Sequence, residues 1–237
     1  MSAVVDFHSH ILPGIDDGSF SLERSIDMLR MEAEQGVCRV VATPHFYAHH
    51  DSPEAFLTRR AEAEAALREA LRNHPELPKL DVGAEVYYFN GISNADILPR
   101  LTIGDSRYVM IEMPMSHWTD RMYRELAEIR DKQGLIPIVA HVDRYISPFR
   151  SHHIPERLEE LPVLIQANAS FFVDRGTRRM ALRMLCEGRI HLLGSDCHNL
   201  SDRAPNLGSA VALIQKHLGE DVLSRIHSCE ATVLSGD

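Results

Sequence analysis

Short β-rich runs alternate with stretches of helical periodicity along the whole chain. Val4-Val5 opens a first strand, and residues 21–35 follow with Leu22, Ile26, Leu29 and Met31 at roughly helical spacing, stopped by Gly36. Val37 to Thr43 reads as a second strand. Ser52-Pro53-Glu54 is a helix start, with a hydroxyl cap and a proline at the first helical position, and the Ala/Leu/Glu/Arg segment stays helical to about His74. Leu80 to Glu85 and Tyr108 to Glu112 predict the third and fourth strands; 119–133 predicts a helix closed by Gly134, and Ile136 to His141 a fifth strand. A helix near 155–161 precedes a sixth strand, Val163 to Asn168, and a helix at 176–187 ends at Gly188 before a seventh, Ile190 to Ser195. From Pro205 onward the pattern is that of two helices.

Buried-type strands separated by helices imply an α/β fold with a parallel sheet. Strand–helix repetition sustained over this length predicts a closed barrel rather than an open sheet, irregular because it has seven strands and not eight. No segment is long enough to serve as an interdomain linker, so residues 1–237 are expected to form a single domain.

Composition narrows the function classes. Hydrophobic residues make up 44% of the 237 positions and charged residues 25%, which leaves ample apolar surface to bury and excludes disorder as the main state. No apolar run approaches the ~20 residues of a membrane helix, and Met1 to Gly14 lacks the basic start of a signal peptide. The net charge of −9 argues against a nucleic-acid partner, which selects for a basic face. Cys38, Cys186, Cys197 and Cys229 form no CxxC pair and are expected as reduced thiols in the cytoplasm. The departure from the ordinary is the 14 histidines, since His is both the commonest metal ligand and a frequent acid–base residue.

The polar residues at the C-terminal ends of the predicted strands carry the chemistry. Strand one ends in His8-Ser9-His10, two in Thr43-Pro44-His45, three at Glu85, four at Glu112, five at His141, six at Asn168 and seven in Asp196-Cys197-His198. In a βα barrel that rim holds the active site. Two residues apart on an extended segment, His8 and His10 point the same way, and Asp196 and His198 repeat the spacing. One such pair carries little weight; two pairs converging with His45, Glu85, Glu112 and His141 predict a metal centre. The donors are nitrogen and oxygen without thiolate, which suits Mn, Fe or Zn. They are too many for one ion, so a cluster bridged by a carboxylate such as Glu85 is expected, able to activate a bridging hydroxide for in-line displacement. Asp16-Asp17-Gly18, by composition alone, is a turn.

These motifs together, His8-Ser9-His10 through Ile15-Asp16-Asp17-Gly18, Ala42-Thr43-Pro44-His45, Gly83-Ala84-Glu85, Ala140-His141-Val142-Asp143-Arg144 and Ser195-Asp196-Cys197-His198, resemble the PHP (polymerase and histidinol phosphatase) superfamily. Within it the chain is similar to the manganese-dependent protein-tyrosine phosphatases of bacterial capsule and exopolysaccharide loci, from Val4 to about Pro205. The resemblance implies a distorted seven-stranded TIM-like barrel. It implies three divalent ions, Mn²⁺ first, with His8, His10, Glu85 and Asp196 holding one, Glu85, Glu112 and His141 a second, and Asp17, His45 and His198 a third. It also implies Arg144 and Arg203 as phosphate contacts, and a phosphotyrosine protein, a bacterial tyrosine kinase, as substrate. Asp143 stands where Glu is frequent, and the loop Phe46 to Asp51 is less basic than in many members.

Guanidinium forks match phosphate oxygens, and a phenolic leaving group of pKa ~10 departs with little proton assistance. Cys197 and Arg203 mimic the spacing of a cysteine-based phosphatase loop, but the segment between them lacks the glycines of a phosphate cradle. Two alternatives stay open from sequence, a small-molecule phosphatase of the histidinol-phosphate type and a metal-binding regulatory protein without turnover. Trp118 is expected on the loop after the fourth strand, where a rim position is open to it, and His152 and His153 on a solvated loop.

Overall fold

The computed structural model describes residues 4–146 and 153–236; His152 lies outside the described residues. Parallel strands carry the site: β1 (Val4–Ser9), β2 (Val37–Ala42), β3 (His45–Phe46), β4 (Lys79–Val82), β5 (Glu85–Tyr87), β6 (Tyr108–Glu112), β7 (Ile136–Val139), β8 (Leu164–Asn168) and β9 (Leu192–Gly194). Helices α1 (Leu22–Glu34), α2 (Pro53–Leu71), α3 (Asp120–Gln133), α4 (Ile154–Glu159), α5 (Ala169–Val173), α6 (Arg178–Cys186), α7 (Leu207–Leu218) and α8 (Glu220–Ser235) occupy the connections and the C-terminal segment. One sheet has the order β1-β2-β4 and the other β3-β5-β6-β7-β8-β9, with all pairings parallel.

The second and third strands read from the sequence are each interrupted. Pro44 has no N–H to give a ladder, and between β4 and β5 a Cβ at Gly83 would come within 3.1 Å of Ile103. Backbone pairing nevertheless runs through both breaks, with Gly83 N–H donating to Ala42 O at 2.9 Å and Glu85 N–H to Pro44 O at 3.0 Å. The short helix α5 was not signalled by periodicity, being only five residues long.

Local chemistry sets the helix ends. Ser21 Oγ accepts from Arg24 N–H at 3.3 Å to start α1, and Ser52 caps α2 with Pro53 in its first turn. Gly134 ends α3 at φ 69°, where a side chain would be strained. Two buried layers result. Val5, Phe7, Val41, Met110, Ile138 and Leu192, from five strands drawn from both sheets, pack into one cluster, so the sheets curve around it. The larger cluster joins the strands to the helices, with Phe46, Phe56, Leu67, Leu126 and Phe172 fully buried. The first strand reaches the residues after the last: Asp196 N–H donates to His8 O at 2.7 Å, His10 N–H to Cys197 O at 2.9 Å, and Ser9 bridges Cys197 in parallel.

Candidate metal centre

That closure brings His8-Ser9-His10 and Asp196-Cys197-His198 side by side, and the strand ends around them supply the remaining donors. Nε2 of His8 and Nε2 of His10 face each other at 3.2 Å. Glu85 Oε2 lies 3.2 Å from the first and 3.3 Å from the second, and Asp196 Oδ1 3.6 and 3.5 Å from them. His141 Nε2 is 2.8 Å from Glu85 Oε1 and 3.5 Å from Glu112 Oε1. His45 Nε2 and His198 Nε2 stand 3.5 and 3.4 Å from Asp17 Oδ1.

The structure therefore gathers all nine sequence-predicted ligands. Their grouping differs in two respects from the expected sets: His10 also falls with Asp17, His45 and His198, and His45 Nδ1 leans to within 3.0 Å of Glu85 Oε2 and 3.8 Å of Glu112 Oε2. Three overlapping groups have donor atoms within 4.8 Å of one another, namely His8, His10, Glu85; His45, Glu85, Glu112; and His10, Asp17, His45, His198. Glu85, central to the first two, is 1% exposed, whereas Asp17 is 66% exposed and forms the open side of the centre.

Two adjacent side chains fix ring orientation. Nδ1 of His8 is 3.1 Å from Gln166 Oε1, which also accepts the His141 N–H at 2.6 Å. Nδ1 of His10 is 2.8 Å from Asp16 Oδ2. Against an amide oxygen and a carboxylate, Nδ1 is the protonated atom of each neutral ring, so in the neutral, ligating form both Nε2 lone pairs aim into the cluster. Gln166 Nε2 donates to Asn168 Oδ1, and Asn168 Nδ2 to Asp196 Oδ2, at 3.1 and 3.0 Å. Neither Asp16 nor Gln166 was singled out from the sequence. The two-residue alternation that joins His8 to His10 also joins Gln166 to Asn168, which places Gln166 near a strand end but does not show which atom it faces. Asp143, partly buried, accepts the Asn168 N–H at 2.9 Å.

The donor set fits divalent cations on physical grounds. Glu85 Oε2, Glu112 Oε2, His45 Nδ1 and His198 Nε2 are buried without a hydrogen-bond partner. Buried polar atoms left in this way cost free energy unless something positive satisfies them. Protons respond to the same field. Burial disfavours the imidazolium of His10, but Asp16 and Glu85 overcome it and raise its pKa to about 10. Burial likewise opposes charge on His141, and Glu112 and Glu85 lift it to about 9. Desolvation would raise Glu85 and Asp196, yet the surrounding imidazoles, led by His8, hold Glu85 well below the carboxylate range and Asp196 at about 2.

Backbone strain is concentrated at the same place. Among the described residues the non-glycine positions with positive φ are His141 (31°), His153 (55°) and Asp196 (55°), two of them candidate ligands. Two glycines permit close approach: a Cβ on Gly18 would lie 2.2 Å from His10 O, and one on Gly194 2.5 Å from His8 Cβ.

The two arginines reach the cluster from one side. Arg144, on the 3-10 turn Val142–Arg144, pairs through Nη2 with Asp196 Oδ2, and its Nη1 lies 3.9 Å from Glu112 Oε1. Arg203 Nη2 is 2.9 Å from Asp196 Oδ1. Beside them opens a cavity of about 300 Å³ lined by Arg144, Asn168, Ser170, Asp196 and Arg203. Cys197 is fully buried and faces Glu32 at 3.9 Å, and burial pushes its thiol well above the usual range. Trp118 lies on the loop between β6 and α3, as expected, but turns inward: at 2% exposure it packs against Tyr145, its indole N–H donating to Pro114 O at 2.9 Å. The apolar area of that ring outweighed its loop position.

Comparison with known proteins agrees with this picture. A family model described as "Capsular polysaccharide synthesis, CpsB/CapC" matches residues 4–234. The "Tyrosine-protein phosphatase YwqE" of Bacillus subtilis is 27% identical over 232 residues, covering 92% of this chain and 87% of that protein. The "Putative tyrosine-protein phosphatase CapC" of Staphylococcus aureus is 31% identical over 220 residues, 84% of this chain and 79% of that protein. In fold, the chain superposes with a TM-score of 0.87 at 24% identity on a crystal structure from work on YwqE of Bacillus subtilis and CpsB of Streptococcus pneumoniae, described there as unique metal-dependent tyrosine phosphatases; the match covers 99% of this chain and 95% of that one.

Proposed function

The chain belongs to the CpsB/CapC family of capsular polysaccharide synthesis, and from that premise we propose that it is a metal-dependent protein-tyrosine phosphatase. The observation that carries the reading is the convergence of nine nitrogen and oxygen donors, several buried without partners, beside two arginines. Its relatives YwqE and CapC are named as tyrosine-protein phosphatases, and its substrate is phosphotyrosine in a protein, a capsule-locus tyrosine kinase. It works in the cytoplasm; among the described residues no helix is long and apolar enough to cross a membrane. With each interrupted strand counted once, the β-segments make a distorted seven-stranded TIM-like barrel of the PHP kind in a single domain, a reading supported by the Ser9–Cys197 bridge.

Three divalent ions, Mn²⁺ foremost and Fe or Zn as substitutes, fit the donors. His8, His10, Glu85 and Asp196 would hold one, Glu85, Glu112 and His141 another, and Asp17, His45 and His198 the third. Bound, such ions supply a hydroxide near neutral pH and neutralise charge developing on phosphoryl oxygens. The protein does the rest. Gln166 and Asp16 keep the His8 and His10 lone pairs aimed inward, while Arg144 and Arg203 present guanidinium groups to the phosphoryl oxygens. The departing phenolate, with a pKa of ~10, leaves without strong proton donation.

The test is phosphate release from a phosphotyrosine peptide by the purified, Mn²⁺-reconstituted protein, compared with histidinol phosphate, alongside elemental analysis of bound metal. Release from the peptide with about three ions per chain is the expected result. Preference for histidinol phosphate would move the chain to the small-molecule branch, and no release from either would leave a binding protein.

A further inference from the structure

The rings beside the metal centre form a continuous row. Tyr47 stacks on His45 with centroids 5.2 Å apart, and Tyr47 in turn meets Tyr87 at 5.6 Å. His49 closes on Tyr87 at 6.2 Å and on His50 at 4.6 Å. The row starts at a candidate metal ligand and runs outward. Tyr47 and Tyr87 are half-buried, and His49 and His50 exposed. Its neighbour Phe46 points the other way, fully buried against Phe56 at 5.0 Å, so the inner half of this segment serves the core and the outer half does not.

The row also lies at a useful distance from the arginines. The Glu112 carboxylate is 3.9 Å from Arg144 Nη1 on one side and 3.8 Å from His45 Nδ1 on the other. One carboxylate therefore separates the guanidinium wall from the aromatic wall. In an aryl phosphate the ring is joined to phosphorus through a single oxygen, so a phosphoryl group held between the metals and the arginines must place its ring close by.

We propose that Tyr47 and Tyr87, with His49 at their outer margin, form an aromatic shelf that receives the leaving-group ring and makes the centre selective for aryl over alkyl phosphate esters. The inference rests on the phosphatase reading above and adds the residues that choose the substrate. Offset or edge-to-face ring contacts strengthen binding beyond the area they cover. Leucine at these positions retains apolar surface and loses the ring, and phenylalanine retains the ring.

The experiment compares wild type, Tyr47→Leu, Tyr87→Leu and Tyr47→Phe, each checked for metal content and melting temperature. KM and kcat are measured on a phosphotyrosine peptide and on the corresponding phosphoserine peptide. The leucine variants should raise KM for the aryl ester about three- to tenfold, with kcat and the alkyl ester nearly unchanged, and Tyr47→Phe should behave as wild type. Binding is read separately with phenylphosphonate and methylphosphonate, whose carbon–phosphorus bonds resist hydrolysis. The leucine variants should lose the preference for the phenyl compound. An unchanged aryl-to-alkyl ratio and an unchanged phenyl preference in metal-replete leucine variants would overturn the shelf. If wild type hydrolyses neither peptide, the phosphatase reading fails, and the phosphonate titration alone upholds or overturns the shelf.

Discussion

Gln166 Oε1 lies 3.1 Å from His8 Nδ1 and, from the same atom, 2.6 Å from the backbone nitrogen of His141. One amide oxygen thus orients two candidate ligands, one on β1 and one just past the end of β7. Gln166→Leu should weaken metal affinity about 10–100-fold while Gln166→Glu, which keeps an acceptor, should lose less. Metal titration followed by calorimetry checks this, and wild-type affinity in the leucine variant would show that the contact is incidental.

Glu85 is in contact with His8, His10, His45 and His141. Glu85→Ala should therefore cost more turnover than the roughly 10–100-fold of a change outside the ligand sphere, and bound metal should fall below the wild-type count. Normal turnover in a metal-loaded Glu85→Ala protein would remove the bridge from the account.

Arg144→Ala and Arg203→Ala should lower turnover of phosphoesters about 10²–10³-fold, the scale of losing one charge-stabilising donor. Metal content should stay near wild type, since neither guanidinium is a ligand. Loss of metal in either variant would make that arginine a structural partner of Asp196.

Cys197→Ser should keep most activity, because the thiol faces Glu32 within the core and not the cluster. A stability loss of about 1 kcal/mol is expected from burying a hydroxyl. Exhaustive chelation of wild type should abolish turnover and Mn²⁺ should restore it. A dead serine variant of normal metal content, together with an active chelated wild type, would transfer the chemistry to sulfur.

The pH dependence has a definite sign. His10 and His141 have folded pKa values raised to about 10 and about 9, against ~6.5 unfolded. Their contribution to the metal-free fold is complete below ~6.5 and disappears as pH rises through 9 and 10. The chelated protein should lose melting temperature between pH 7 and 9.5. The increment given by Mn²⁺ should grow over the same range, because neutral imidazole is the ligating form. Scanning calorimetry at several pH values tests both, and a metal-free midpoint that climbs with pH would refute the assignment.

How much of this was legible in the sequence follows from what each signal measures. Strand ends such as Glu112 and Asn168 were readable because alternation and helix stops bracket each strand. Tyr108 to Glu112 was placed to the residue. The breaks at Pro44 and Gly83 were not, since pairing continues across them and only three-dimensional twist separates the pieces. The nine ligand types were visible through their position at strand ends, helped by the family resemblance for Asp17. Asp16 and Gln166 were hidden because their roles depend on which ring nitrogen they face. Trp118 was placed on its loop, but loop position says nothing about which way a large ring turns.

The backbone contacts between Ser9 and Cys197 join positions far apart in the described chain, and the Asp6 carboxylate holds the Ser195 N–H across 189 positions of sequence. A ribosome delivers His8 and His10 long before Asp196 and His198. Until the last strand emerges, a nascent chain holds only part of the donor set, and loop closure over that span is slow compared with local helix formation. Assembly of the proposed metal centre thus waits for Asp196 and His198, with α7 and α8 still to follow, and a polypeptide stopped short of Asp196 would present its carboxylates and imidazoles without ever gathering them into one centre.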